Sequence, residues 1–163
     1  MKEKTCCFTG HRDLPPSQLP RIARALEARV RELTRQGVIY FGSGGALGFD
    51  LLAAQIVLKI RETDPRVRLI MVYPCPQQAD RWREEDKALY EQIKSRADKI
   101  VYVSDHYWNG VMQARNRHLV DHSGWCVSYC TRDTGGTAYT VRYARKMGLN
   151  LIPLAEDLTG TQA

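Results

Sequence analysis

A chain of 163 residues with 44% hydrophobic and 26% charged residues has the composition of one ordinary globular domain able to bury a full core. It carries no low-complexity tract, no detectable internal repeat and no apolar run near transmembrane length, which excludes the fibrous, disordered and helical membrane-spanning classes. Lys and Arg outnumber Asp and Glu by 24 to 18, and the resulting net charge of +6 favours an anionic partner, either a small phosphate-containing ligand or nucleic acid.

Lys4 to Thr9 is a short apolar run closed by Gly10, the pattern of a buried first strand. His11 and Arg12 stand where that strand ends. In a parallel sheet this is the ligand-binding edge, so Arg12 is a candidate contact to phosphate or carboxylate and His11 a polar contact or base. The plain alternative is a surface pairing for Arg12 and a satisfied loop position for His11. After Pro15-Pro16-Ser17, the residues Leu19, Ile22, Leu26, Val30 and Leu33 recur at helical spacing, an amphipathic helix lying on the sheet and stopped by Gly37.

Val38 to Phe41 is the second strand, and it runs through a glycine-rich turn, Gly42 to Asp50, into the apolar helical segment Leu51 to Leu58. Strand, glycine turn and helix in that order bring bare N–H groups and the positive end of a helix dipole to one point, which suits an anion. A single such turn can equally exist only for its dihedral angles. Arg68 to Tyr73 is the third strand, closed by Pro74-Cys75-Pro76. No Asp or Glu ends it to hold ribose hydroxyls, the glycines read G-x-G-x-x-x-G, and no Lys-Ser or Lys-Thr follows Gly48. An orthodox dinucleotide fingerprint is therefore disfavoured and a P-loop is excluded.

Ala79 to Ala97 reads as a charged helix that turns Trp82, Leu89 and Ile93 to the core, and Lys99 to Val103 as a fourth strand. Tyr107 and Trp108 beyond it either stack on a base or pack the loop onto the domain. Val111 to Ser123 is the next helix, with Arg115 and Asn116 near its start in reach of a ligand over the sheet edge. Trp125 to Cys130 (strand), Gly135-Gly136-Thr137 (a second glycine turn), Ala138 to Met147 (helix) and Leu149 to Leu154 (strand) complete the pattern. The ordered core is expected over about 4–154, with 155–163 a polar tail that frays.

These elements make one Rossmann-like α/β domain over 1–163, three layers around a doubly wound, mostly parallel sheet. Right-handed crossovers put both glycine turns at the same carboxyl edge, so two anion-friendly helix starts face one crevice and ligand binding is expected there. The five cysteines, Cys6, Cys7, Cys75, Cys126 and Cys130, contain no C-x-x-C pair and read as buried thiols. Cys126, Cys130 and His122 match no zinc spacing, and no metal is expected. Met1-Lys2-Glu3-Lys4 and the short stretch after it do not make a signal peptide, so a cytoplasmic location is expected.

Four motifs in order also carry a resemblance: Thr9-Gly10-His11-Arg12; Ser43-Gly44-Gly45-Ala46-Leu47-Gly48-Phe49-Asp50; Arg115-Asn116-Arg117 with Val120-Asp121-His122-Ser123; and Gly135-Gly136-Thr137 followed by Tyr143-Ala144. From about Thr5 to Leu154 the chain resembles the SLOG superfamily, and within it the bacterial YpsA/YoqJ-like group. That superfamily also contains the Smf/DprA single-stranded-DNA-binding proteins and the LOG-type cytokinin-activating phosphoribohydrolases. The resemblance implies a Rossmann-like fold that binds nucleotides or nucleotide-derived molecules at its glycine turns. LOG enzymes carry a P-G-G-x-G-T-x-x-E signature whose glutamate, with an arginine, serves N-glycosidic cleavage. Here Thr134 replaces the proline, the place of the glutamate falls to Thr140 or Arg142, and no carboxylate follows until Glu156. The missing acid argues for binding over catalysis.

The leading expectation is a sensor or regulatory protein holding an ADP-ribose-like or NAD-like ligand. Gly44, Gly45 and Gly136 are the expected backbone contacts, Thr137 a hydroxyl contact, and Arg12 and Arg115 the counter-charge. Gly10, His11, Ser43, Gly48, Asn116 and Gly135 complete the candidate site with Asp50, which reads as a ribose ligand or helix cap before an acid or base. No cofactor beyond the nucleotide-derived ligand is assigned, no membrane partner is expected, and a homo-oligomer is allowed. The alternatives are a LOG-like nucleoside-monophosphate phosphoribohydrolase and DprA-like binding of single-stranded DNA through Arg115-Asn116-Arg117.

Overall fold

Six short apolar runs form strands β1 (Thr5–Gly10), β2 (Tyr40–Ser43), β3 (Arg68–Tyr73), β4 (Lys99–Tyr102), β5 (Trp125–Tyr129) and β6 (Asn150–Pro153) in a computed structural model that describes residues 1–160. They pair into one sheet of order β4-β3-β2-β1-β5-β6, and every pairing is parallel, where the sequence led us to expect a mostly parallel sheet. Helices α1 (Leu19–Arg35), α2 (Phe49–Thr63), α3 (Glu84–Arg96), α4 (Val111–Asp121) and α5 (Gly136–Lys146) provide the crossovers, and α6 (Leu154–Gly160) follows β6.

The period-two alternation of the strands sorts the helices into two layers. Cys6, Phe8, Phe41, Leu69, Met71, Tyr73 and Val127 form one core with Ile22, Leu26, Val30 and Leu33 of α1, with the apolar face of α2, with Tyr90 and Ile93 of α3 and with Leu154. On the other face Cys7, Val72 and Cys126 meet Leu119 and Val120 of α4 and Ala144 of α5. Burying these side chains drives the fold, at roughly 1.5–3 kcal/mol for each large aliphatic or aromatic residue fully withdrawn from water.

Some expectations are corrected. The helix expected over Ala79 to Ala97 begins only at Glu84, and the segment before it turns so that Trp82, half-buried, packs edge-on to Tyr90 at 5.3 Å. The tail expected after Ala155 is helical as far as Gly160, because Leu154 is fully buried and Asp157 accepts two hydrogen bonds of 2.8 Å from Arg29 of α1; 161–163 lie outside the described residues. Four of the cysteines are buried thiols, whereas Cys130 is only half-buried, just past the end of β5.

The strand order positions the site. From β1 the chain steps outward through β2 and β3 to β4, then α4 carries it back so that β5 lies on the other side of β1. The order therefore reverses between β1 and β5, and in an open parallel sheet the carboxyl ends of two strands diverging at such a switch point leave a crevice.

Candidate functional site

At that crevice lies a cavity of about 360 Å³. Thr9 to Asp13 at the end of β1 and just beyond it, Ala46 before α2 and Asp50 in its first turn, Met112, Gln113, Arg115 and Asn116 in the first two turns of α4, and Arg132 with Thr134 to Thr137 after β5 line it. Three helix starts thus converge on one space, as the all-parallel order requires, since each crossover helix begins at the carboxyl edge.

His11 joins the two loops at the switch point. Its ring is buried against Tyr129, edge-on at 5.8 Å, and its Nε2 accepts the Thr131 backbone N–H at 2.9 Å. That bond requires Nε2 to be unprotonated, and burial together with the nearby Arg132 cation holds the imidazole below its usual range. His11 is thus a neutral strut on the cavity wall. At the exposed rim Arg132 and Asp13 pair at 2.9 Å and link the same two loops again.

The first glycine turn is packed rather than open. A β-carbon on Gly48, whose φ is 79°, would overlap the Arg12 carbonyl, so the β1 loop lies directly on this glycine. A β-carbon on Gly45 would come within 2.6 Å of the Tyr73 ring, and one on Gly44 within 2.6 Å of the Arg115 guanidinium. Ser43 is fully buried, donating to the Asp50 carbonyl at 2.8 Å and accepting from the Gly45 N–H at 3.2 Å. The positive end of α2 is already covered, because the Phe49 N–H donates to the His11 carbonyl at 3.1 Å and the Ala46 N–H to the Asp50 carboxylate at 3.4 Å. Ser43, Gly44, Gly45 and Gly48, expected as ligand contacts, accordingly lie behind the cavity wall, and only Ala46 and Asp50 of this turn reach it.

Arg115 also turns inward. Its buried guanidinium donates to the Gly44 carbonyl, to Gln78 Oε1 at 3.2 Å and to Asn116 Oδ1 at 2.8 Å, and Gln78 Nε2 donates to the same Gly44 carbonyl at 3.1 Å. Asp50, nearby and buried, has no ion-pair contact among the described residues within 4 Å. Burial pushes its carboxyl up to about 6, against the opposing pull of Arg115, its Ala46 hydrogen bond and Arg12. The cavity therefore contains an acid able to change protonation near neutral pH.

The second glycine turn is open. Gly135 (φ 97°) sets the entry to α5, and β-carbons built on Gly135 or Gly136 would meet nothing within 4 Å among the described residues. No acceptor among the described residues engages the Gly136 or Thr137 N–H. With Arg12 exposed on the same cavity, this helix start can hold an anion. It offers no carboxylate: α5 has none, Thr140 Oγ1 is engaged with the Gly136 carbonyl at 2.9 Å and Arg142 with the Asp133 carbonyl at 3.0 Å.

Of the expected residues, Gly10, His11, Arg12, Asp50, Arg115, Asn116, Gly135, Gly136 and Thr137 share this one cavity. Sequence reasoning missed Arg132, although its place just beyond β5 marked it as a carboxyl-edge residue, and Gln78, for which no local pattern gave a sign. Among the described residues no three His, Cys, Asp or Glu side chains gather as a metal site.

Sheet, switch point and cavity define a Rossmann-like α/β protein with its crevice at the β1/β5 reversal. The family model for YpsA, described as the YspA SLOG family, matches residues 8–150, and the chain belongs to that family. It is similar to the UPF0398 protein BH1768 of Halalkalibacterium halodurans, 31% identical over 128 residues that cover 77% of this chain and 68% of the relative. The SPbeta prophage-derived protein YoqJ of Bacillus subtilis is 28% identical over 134 residues, 74% of this chain and 78% of that one. Among solved structures, DNA processing protein A of Helicobacter pylori, which has a unique single-stranded DNA binding mode, superposes with a TM-score of 0.66 at 20% identity over 98% of this chain and 73% of its own. DNA processing protein A of Streptococcus pneumoniae follows with a TM-score of 0.64 at 16% identity, over 90% of this chain and 48% of its own. At these identities the structural likeness speaks for the fold.

Proposed function

We propose that the protein binds a nucleotide or nucleotide-derived ligand, of the ADP-ribose or NAD kind, in the switch-point cavity and acts as a sensor or regulatory protein. The observation that carries this reading is the open start of α5, where no acceptor among the described residues engages the Gly136 or Thr137 N–H, on the same cavity as the exposed Arg12. Helix starts of this kind hold phosphate through N–H groups and dipole, and an arginine adds charge. The ribose falls to Asp50 and Asn116, polar side chains of α2 and α4 on the same wall. The test is thermal stabilisation by ADP-ribose, NAD and nucleoside phosphates. A millimolar excess of a ligand that binds raises the melting temperature by mass action, and no shift with any of them removes the reading.

Single-stranded DNA is a second reading, favoured by the DNA processing protein A likeness and the net charge of +6. Arg115, the first residue of the Arg115-Asn116-Arg117 run on which the sequence argument for DNA rested, is buried and engaged, so the phosphate contacts at the cavity fall to Arg12 and Arg132. This reading requires binding of an oligothymidylate that weakens steeply with salt. Cleavage of an N-glycosidic bond would rest on Asp50, and release of free base from nucleoside monophosphates, abolished by Asp50→Asn, is its signature.

A further inference from the structure

A second cavity, of about 490 Å³, lies between the segment after β3 and the segment after β4, and its wall includes Gln78, Arg81, Trp82, Tyr107 and Met112. One side is held in place. Trp82 packs edge-on to Tyr90, and Gln78 is fixed by its bonds to the Gly44 carbonyl and to Arg115. The other side is tied at its base, where the Val103 and Ser104 N–H groups donate to the Tyr73 and Pro74 carbonyls, each at 3.0 Å. Tyr107 stands apart: it is 62% exposed, and its ring contacts no other aromatic ring among the described residues. A tyrosine face presented beside a preformed cavity is a stacking surface.

This cavity is continuous in its lining with the polar one. Met112 belongs to both walls, and Arg115, in the polar wall one turn further along α4, has Nη2 3.9 Å from the Met112 sulfur. The first turn of α4 is therefore a saddle with an anion-friendly space on one side and an aromatic one on the other. A thioether makes that saddle pliable, since methionine adapts to what lies on it.

We infer that the aromatic cavity receives the nucleobase of the ligand whose phosphate lies at the start of α5, with the sugar passing over Met112. The inference rests on the proposed function and extends it: the ligand class is a phosphate joined through a ribose to a flat heterocycle. Stacking accepts every base face, so Tyr107 and Trp82 select for a base without choosing which one, and Arg81 supplies a donor at its edge.

Calorimetric titration of wild type and Tyr107→Ala with ADP-ribose, ribose 5-phosphate and a short oligothymidylate tests this. Tyr107 is exposed, so the substitution leaves the fold intact. The expected result is a loss of about tenfold in affinity for a base-bearing probe in Tyr107→Ala, with ribose 5-phosphate unaffected. A loss confined to ADP-ribose assigns the base to a free nucleotide, and a loss confined to the oligonucleotide assigns it to a single strand. Unchanged affinity for both base-bearing probes, with phosphate-dependent binding retained, overturns this inference alone. Failure of every probe to bind wild type overturns the proposed function and this inference with it.

Discussion

The buried guanidinium of Arg115 lies against the backbone of Gly44 and donates to its carbonyl, so these two residues, 71 positions apart, lock the first glycine turn onto α4. Gly44→Ala forces a methyl group into a charged side chain already fixed by Gln78 and Asn116. The expected cost is about 1–3 kcal/mol, the usual range for overpacking, read as a lower urea midpoint with an unchanged slope.

The two glycine turns are expected to respond oppositely to alanine. Gly48→Ala meets the Arg12 carbonyl at a positive φ and loses stability, whereas Gly136→Ala meets open space at an ordinary φ and folds as wild type does. If the start of α5 holds the phosphate, the Gly136→Ala methyl group instead lowers ligand affinity, which a thermal-shift titration separates from its neutral effect on the free protein.

Asp50 gives the cavity a pH dependence of known sign. Its folded value, about 6, lies above the ordinary 3.8, so the folded state binds more protons between the two and this group's contribution to stability falls as pH rises through that range. As a ligand of ribose hydroxyls Asp50 accepts most strongly when ionised. Affinity for ADP-ribose, whose pyrophosphate has no titration there, is expected to rise as pH rises through about 6, and Asp50→Asn to flatten the profile.

His11 has the opposite dependence in the free protein. Its folded value lies below the ordinary 6.5, so the stability from its bond to the Thr131 N–H is complete above that value and is lost as pH falls toward the folded one. His11→Ala is expected to cost about 1 kcal/mol at neutral pH and to weaken ligand binding, since it removes the buried tie between the loops after β1 and β5 and leaves only the exposed Arg132–Asp13 pair. Denaturant titrations at two pH values check both.

At the far end, Leu154→Ala opens a cavity beneath α6, and the expected loss is about 2–5 kcal/mol in chemical unfolding. Asp157→Ala, which removes a partly exposed pair with Arg29, is expected to cost no more than about 1 kcal/mol.

Local pattern carried the element order, the strand–turn–helix units and the residues at strand ends. Apolar spacing of two or 3.6 is written in consecutive residues, and a residue that follows a parallel strand is at the carboxyl edge wherever that strand sits. Hence Arg12, Asp50 and Gly135 to Thr137 were legible as neighbours of one crevice. Only the tertiary structure decided which glycine turn is open. Gly44, Gly45 and Gly48 are pressed by Arg115, Tyr73 and the Arg12 carbonyl, contacts set by how α4, β3 and the β1 loop pack, while none of the described residues packs on Gly136. The direction of Arg115 was likewise hidden, since its partners Gly44 and Gln78 lie 71 and 37 residues away. The sequence on its own determined that an anion-friendly helix start faces a sheet edge. Long-range packing alone assigned that role to α5 and not α2, because a backbone N–H is available to a ligand only where the fold leaves it without an acceptor.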